Sequence, residues 1–152
     1  MAGTVTADRL EAASSSQLVI ENGVALTPPT IEDVNNVEIG RFCRAWVNFN
    51  GTAATSPFTI ANGGIRASFN VSSITDHAVG QYTVNFTNAM PDINFVCIGA
   101  CSTVVGRNGM TVQITRQQNT TFANTTLTQR IWVVDDAGNN GDSEYVSLAF
   151  FR

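Results

Sequence analysis

The sequence predicts an all-β body, an antiparallel β-sandwich or jelly roll, carried behind an extended N-terminal arm. Three observations predict it. Runs of two-residue alternation recur through residues 41–152, and that period sets one strand face in a core and the other in water. Clusters of Gly, Asn, Asp and Pro separate the runs, as turns between strands require. The composition also suits sheets: 43% of residues are hydrophobic and only 13% charged, against about a quarter charged in an average globular chain. Asn, Thr, Ser and Gln fill the polar quota, and Thr fits the pleat while Asn tolerates turn geometry. A chain of 152 residues can hide roughly 70% of its unfolded surface, so one domain with an appended arm is expected.

The arm covers residues 1–40. Ala7–Gln17 carries a helical turn or two, and Leu18-Val19-Ile20 and Val24-Ala25-Leu26 flank Glu21-Asn22-Gly23, a hairpin signal. Pro28-Pro29 stops further sheet pairing, and Thr30-Ile31-Glu32-Asp33 reads as a short capped helix. Too few apolar residues lie here for a separate core. Leu10, Leu18, Val19, Ile20, Val24 and Leu26 are therefore the expected assembly contacts.

The body covers residues 41–152. Arg41–Asn50 is apolar on nearly both faces, with Phe42 and Trp46 on one and Cys43, Ala45, Val47 and Phe49 on the other. Ile65–Val71 and Gln81–Thr87 alternate cleanly, and Thr75–Gly80 is expected to join them as a hairpin. Ile93–Ala100 reads as a strand buried on both sides, Met110–Ile114 alternates, and Leu127–Val134 holds Trp132. Asp135–Asp142 is a loop rich in Gly, Asn and Asp, and Tyr145–Phe151 is the last strand. About seven strands with turns between them fit a sandwich or jelly roll. Two strands apolar on both faces need cover on the second face. The other sheet of one monomer or a subunit interface would supply it.

Charge excludes some functions. The net charge is −4 and the pI about 4.7. The eight cationic residues are all Arg and are scattered, so no basic stripe exists for phosphates. No apolar run approaches the ~20 residues of a spanning helix. The first residues, MAGTVTADRLEAASSS, lack a basic segment followed by an apolar one, so no secretory signal is expected and synthesis is expected in a cytoplasm.

Candidate chemistry is sparse. Cys97 and Cys101 are four positions apart on one expected strand, about 13 Å and too far for a disulfide. They and Cys43 read as free thiols that pack as small hydrophobes. Five N-x-S/T sequons begin at Asn50, Asn70, Asn85, Asn119 and Asn124 and read as a product of composition. Asp76 and His77 are neighbours at an expected hairpin tip, where adjacent side chains diverge, so no acid–base pair is expected. Asp135, Asp136, Asp142 and Glu144 lack the spacing of a calcium loop. No enzymatic activity, metal or cofactor is expected. Trp46 and Tyr82 read as core. Trp132 and Tyr145 flank the 135–142 loop and, with Asp135, Asp136, Asn139 and Asn140, form the candidate receptor or glycan patch.

Four blocks carry a resemblance: Arg44–Gly51 (RAWVNFNG), Ile65–Asp76 (IRASFNVSSITD), Gly80–Thr87 (GQYTVNFT) and Ala89–Asp92 (AMPD). Together they resemble a sequence family widespread in tailed-phage and prophage genomes, whose members are small virion or tail-fibre-like proteins. The likeness covers residues 41–100 strongly and the final strand weakly. It departs from the family at the longer loop Thr52–Gly64 and at Asp76-His77-Ala78-Val79. The resemblance implies a phage structural protein on the virion surface, a homotrimer with other virion proteins as partners. Three roles are open on this reading. One is a capsid-decorating cement or head-fibre protein held to the major capsid protein by its arm. Another is a tail-fibre or tail-tip protein meeting a host receptor. The third is a free carbohydrate-binding or depolymerising protein.

Overall fold

The computed structural model describes residues 30–32, 37–103, 106–114 and 125–152. The expected arm contacts Leu10, Leu18, Val19, Ile20, Val24 and Leu26 lie outside the described residues. The described residues are all β. Two short strands, β1 (Thr30–Glu32) and β2 (Glu38–Arg41), pair antiparallel with Ile31 opposite Gly40. The expected capped helix at Thr30 is therefore a strand. The β-branched Thr30 and Ile31 lose side-chain freedom in a helix and fit a pleat.

Eight further strands form two four-stranded antiparallel sheets. They are β3 (Cys43–Phe49), β4 (Ile65–Phe69), β5 (Val71–Ala78), β6 (Gln81–Phe86), β7 (Val96–Cys101), β8 (Thr111–Ile114), β9 (Thr128–Val134) and β10 (Val146–Phe151). The first sheet runs β4-β3-β10-β7 and the second β5-β6-β9-β8. Both sheets feed one buried core. Ala45, Val47, Phe49, Val146, Leu148 and Phe150 enter it from the first, and Val71, Ile74, Tyr82, Val84, Phe86, Ile131 and Val133 from the second.

The hairpin expected between Ile65–Val71 and Gln81–Thr87 is not formed, because those runs belong to different sheets. Thr75 to Ala78 continue β5, which pairs directly with β6 through a turn at Val79-Gly80. The corner is Asn70, with φ of 55°, left-handed backbone that Asn tolerates better than other side chains. Its amide donates to the carbonyls of Arg44 and Asn88, each at 3.2 Å, and its Oδ1 accepts from the Asn88 N–H at 2.7 Å. This corner switches the chain from the first sheet to the second.

A register shift also redirects β4. Opposite Asn48 and Phe49, β4 carries one extra residue, Arg66. A one-residue slip moves the following side chains to the other face. Ile65 is thus buried, but Ala67 and Phe69, which alternation assigns to the core, point outward. The long loop before β4 places Phe58 fully in the core through a two-bond bridge to Ile74 (2.7 and 2.9 Å). Phe58 packs there with Phe49 and Tyr82, their ring centroids 5.2–6.2 Å apart.

Candidate functional site

The outer face of the first sheet is apolar. Register puts Phe69, Trp46, Ala149 and Ile98 side by side, one from each of β4, β3, β10 and β7. With strands about 4.8 Å apart the row is about 14 Å wide. Trp46 is 40%, Phe69 54% and Ile98 55% exposed. Val96, in register with Phe151, and Phe42 extend the patch toward one end. The exposed parts of these five large side chains leave about 500 Å² in water, given the 150–250 Å² that each aromatic carries. That is near the upper end for the largest apolar patch on a monomer.

The next row, Ala67, Asn48, Ser147 and Ala100, is small and weakly polar, and the Asn48 amide donates to Ser147 Oγ at 2.7 Å. Beyond it the face ends in a charged rim. The Arg66 guanidinium stands 4.1 Å over the Tyr145 ring, donates to the Glu144 carbonyl at 2.9 Å and lies 3.8 Å from the Glu144 carboxylate. Two shallow depressions mark the face. One of about 340 Å³ lies over β7 and β10, lined by Ile98, Gly99, Ala100, Ser147, Leu148 and Ala149. The other, about 420 Å³, lies at the β4 edge beside Phe42 and Phe69.

Two expectations need correction here. Trp46 belongs to this outer face and not to the core. Ile93–Ala100 is not buried on both sides: the strand begins at Val96, and Val96, Ile98 and Ala100 are exposed while Cys97 is buried. Among the described residues nothing covers the second face of β3 or β7. The sequence signal for the site was that doubled apolarity. Phe69 and Ala149 were missed as members, because alternation cannot register a bulge or rank an Ala.

The expected receptor patch does not assemble. Trp132 faces outward on the second sheet, with Arg130 5.9 Å from its ring. Tyr145 lies under Arg66 of the first sheet. Asp135, 8% exposed, organises its own loop. It accepts from the Asn139 N–H at 2.7 Å and from Arg107 at 3.1 Å. The Asn139 bonds, then Arg107, hold its carboxyl below the usual range. Asn140 is half-buried and bridges back to Val134, while Asp136 and Asn139 are exposed. Asp142 turns inward, accepting from the Tyr82 hydroxyl at 2.6 Å and the Gly80 N–H at 2.7 Å. Burial and this carboxylate push the Tyr82 hydroxyl far above its ordinary pKa.

The remaining chemistry-bearing groups are equally committed. Asp76 faces inward beside Tyr82, and burial followed by the Asp142 charge raises its pKa. His77 turns outward, with Nε2 2.9 Å from Thr83 Oγ1. Burial and then Arg130 lower its pKa. The three cysteines are free thiols, and burial pushes Cys97 up to about 12, which removes its thiolate character at neutral pH. Among the described residues no group of three or more His, Cys, Asp or Glu is placed to hold a metal. Comparison with family models, curated proteins and solved structures finds no match.

Proposed function

We propose that this chain is a structural protein of a tailed-bacteriophage particle surface, a capsid-decorating protein whose first-sheet outer face is covered in the assembly. The observation that carries the assembly part is the exposed row Phe69–Trp46–Ala149–Ile98. An apolar face near the upper end of what monomers expose, bordered by a polar rim, has the layout of an interface. The phage part rests on the resemblance carried by residues 44–51, 65–76, 80–87 and 89–92. We further read the two sheets, with their shared core, as the halves of a sandwich. The N-terminal arm, residues 1–40, is assigned to attachment on the particle; because Thr30–Glu32 folds back on Glu38–Arg41, only the first 29 residues are left to extend, a reach of at most ~100 Å.

The second reading is a tail-fibre or tail-tip protein that meets a host glycan. The second sheet favours it. Its outer face presents Trp132 beside Arg130, Gln81 and Gln113, an aromatic ring among hydrogen-bonding groups of the kind that sugars stack on.

Quantitative mass spectrometry of purified virions, with the major capsid protein as reference, tests both. Hundreds of copies support decoration, about a dozen support the tail, and absence from particles overturns both. Deleting residues 1–35 is expected to leave a folded body that no longer attaches to particles. Normal incorporation of that truncation would remove the arm from the proposal.

A further inference from the structure

We infer that the occupant of the apolar face is a second copy of this chain, packed sheet to sheet about a twofold axis that runs along the strands between β3 and β10. The inference rests on reading this face as an assembly surface. It names the partner and puts a twofold in place of the threefold that the resemblance implies.

The face is its own complement about this axis. Such an axis sets β3 of one copy over β10 of the other, and β4 over β7. Because Trp46 and Ala149 are register partners, as are Ala149 and Ile98, each Trp46 then meets the Ala149 of the other copy. Each Phe69 meets the other copy's Ile98. The depression of about 340 Å³ at Ile98, Ala100, Ser147 and Ala149 lies where that indole arrives. In the second row Asn48 meets Ser147, polar against polar, and Ala67 meets Ala100, small against small. A twofold running across the strands through the first row would instead oppose Trp46 to Trp46 and Ala149 to Ala149, large on large and gap on gap. A single surface that is its own complement is what an isologous interface requires.

Area and charge agree. A stable interface buries about 800 Å² per partner. The five large exposed side chains bring about 500 Å² of that, and the small second row with the Tyr145 rim lies between and beside them. Neither row contains a charged side chain, and the nearby cation Arg44 lines the depression at the Phe42 end, outside both rows. Arg66 and Glu144 stay at the edge, already paired at 3.8 Å.

Sedimentation equilibrium of the full chain tests the pair, with a mass of two protomers expected. In a Trp132→Phe background Trp46 is the sole tryptophan, and it is expected to resist acrylamide quenching at concentrations where the pair forms. Trp46→Ala empties the knob and Ala149→Trp fills the hole. Each is expected to weaken association on the order of 30-fold while thermal unfolding of the protomer stays close to the parent. The double variant exchanges knob and hole, and is expected to recover to within a few-fold of the parent. A double variant no better than the worse single one overturns the axis, as does a mass of three protomers. A monomer with fully quenched Trp46 overturns the pair. If Trp46 is also quenched in purified particles, the assembly reading falls with it. If it is protected there, that reading survives and the partner is another virion protein.

Discussion

The two sheets share a core but differ on their outer faces. The outer face of the second sheet carries Ser73, Thr75, Gln81, Thr83, Asn85 and Thr128, all half-buried, around the buried Arg130, and most of those groups bond to one another. The Asn85 amide donates to Ser73 Oγ and Thr75 Oγ1, both at 3.0 Å, and Arg130 donates to Gln81 Oε1 at 3.0 Å. Cross-strand polar pairs of this kind satisfy a hydrated surface. On the first sheet the equivalent positions are Phe69, Trp46, Ala149 and Ile98. The same pleat and a similar strand count thus serve opposite ends. One face ties up its polar groups within the protomer, and the other leaves large apolar side chains in water.

Erasing the contrast should have the largest effect. Replacing Trp46, Phe69 and Ile98 together by Thr makes the first face resemble the second. Association is expected to weaken by about 100-fold or more, since fully desolvated aromatic anchors dominate interfaces. Each exposed change should alter protomer stability by only about 0.5 kcal/mol. Sedimentation velocity across a dilution series reads the first quantity and urea unfolding the second.

Breaking the second face should reverse the pattern. Arg130 is 5% exposed and donates to Gln81 and, at 3.5 Å, to Thr83. Arg130→Ala is expected to cost about 1.5–3 kcal/mol of protomer stability, the range for bonds to a charged donor, with association unchanged. Urea midpoints and sedimentation of the same preparation decide it. A loss of association without loss of stability would assign the polar face to assembly.

How much of this was legible follows from the same faces. The alternation Gln81–Thr87 gave β6 and its inward Tyr82, Val84 and Phe86 correctly, because a strand in unbroken register obeys period two. Ile65–Val71 misled, because the extra residue Arg66 and the left-handed Asn70 each reset which side faces inward. No periodicity shows such irregularities. The doubled apolarity of Arg41–Asn50 and Ile93–Ala100 pointed to a face needing cover. It could not say that Phe69 and Ala149 would complete the row, since cross-strand register is a tertiary fact. The Asp135–Asp142 loop misled in the opposite way. Asp135 was expected to face a ligand, yet it is spent on Asn139 and Arg107.

Asp76 offers a smaller effect, and one with a pH signature. It faces inward on the second sheet, its Oδ1 is buried and takes no hydrogen bond among the described residues, and its pKa is raised by burial and then by Asp142. The folded state therefore holds a proton on Asp76 more tightly than the unfolded chain does, so ionisation at neutral pH works against folding. Asp76→Asn is expected to raise the thermal midpoint at pH 7 by an amount worth at most about 1 kcal/mol, because water partly screens the site. The gain should shrink as pH falls through the raised native pKa. Asp135 has the opposite sign: its lowered pKa makes its contribution present above the unfolded value and lost as pH falls through the native one. An Asp135→Asn variant should therefore lose stability at pH 7 and approach the parent in acid.

The smallest expected effect sits at the rim of the first face. Tyr145 is half-exposed under Arg66, 4.1 Å from guanidinium to ring, and an exposed cation–π contact contributes about 0.5–1 kcal/mol. Tyr145→Ala should lower protomer stability by no more than that. Its larger consequence should be on association, by a few-fold, because losing the ring frees Arg66 to sweep across Asn48 and Ser147 at the edge of the apolar rows. The pair of measurements separates rim from core. A stability loss above about 2 kcal/mol would mean that Tyr145 closes the sheet end. A loss of association as large as that expected for Trp46→Ala would move the centre of the interface from the Trp46 row to the Arg66–Tyr145 end of the sheet.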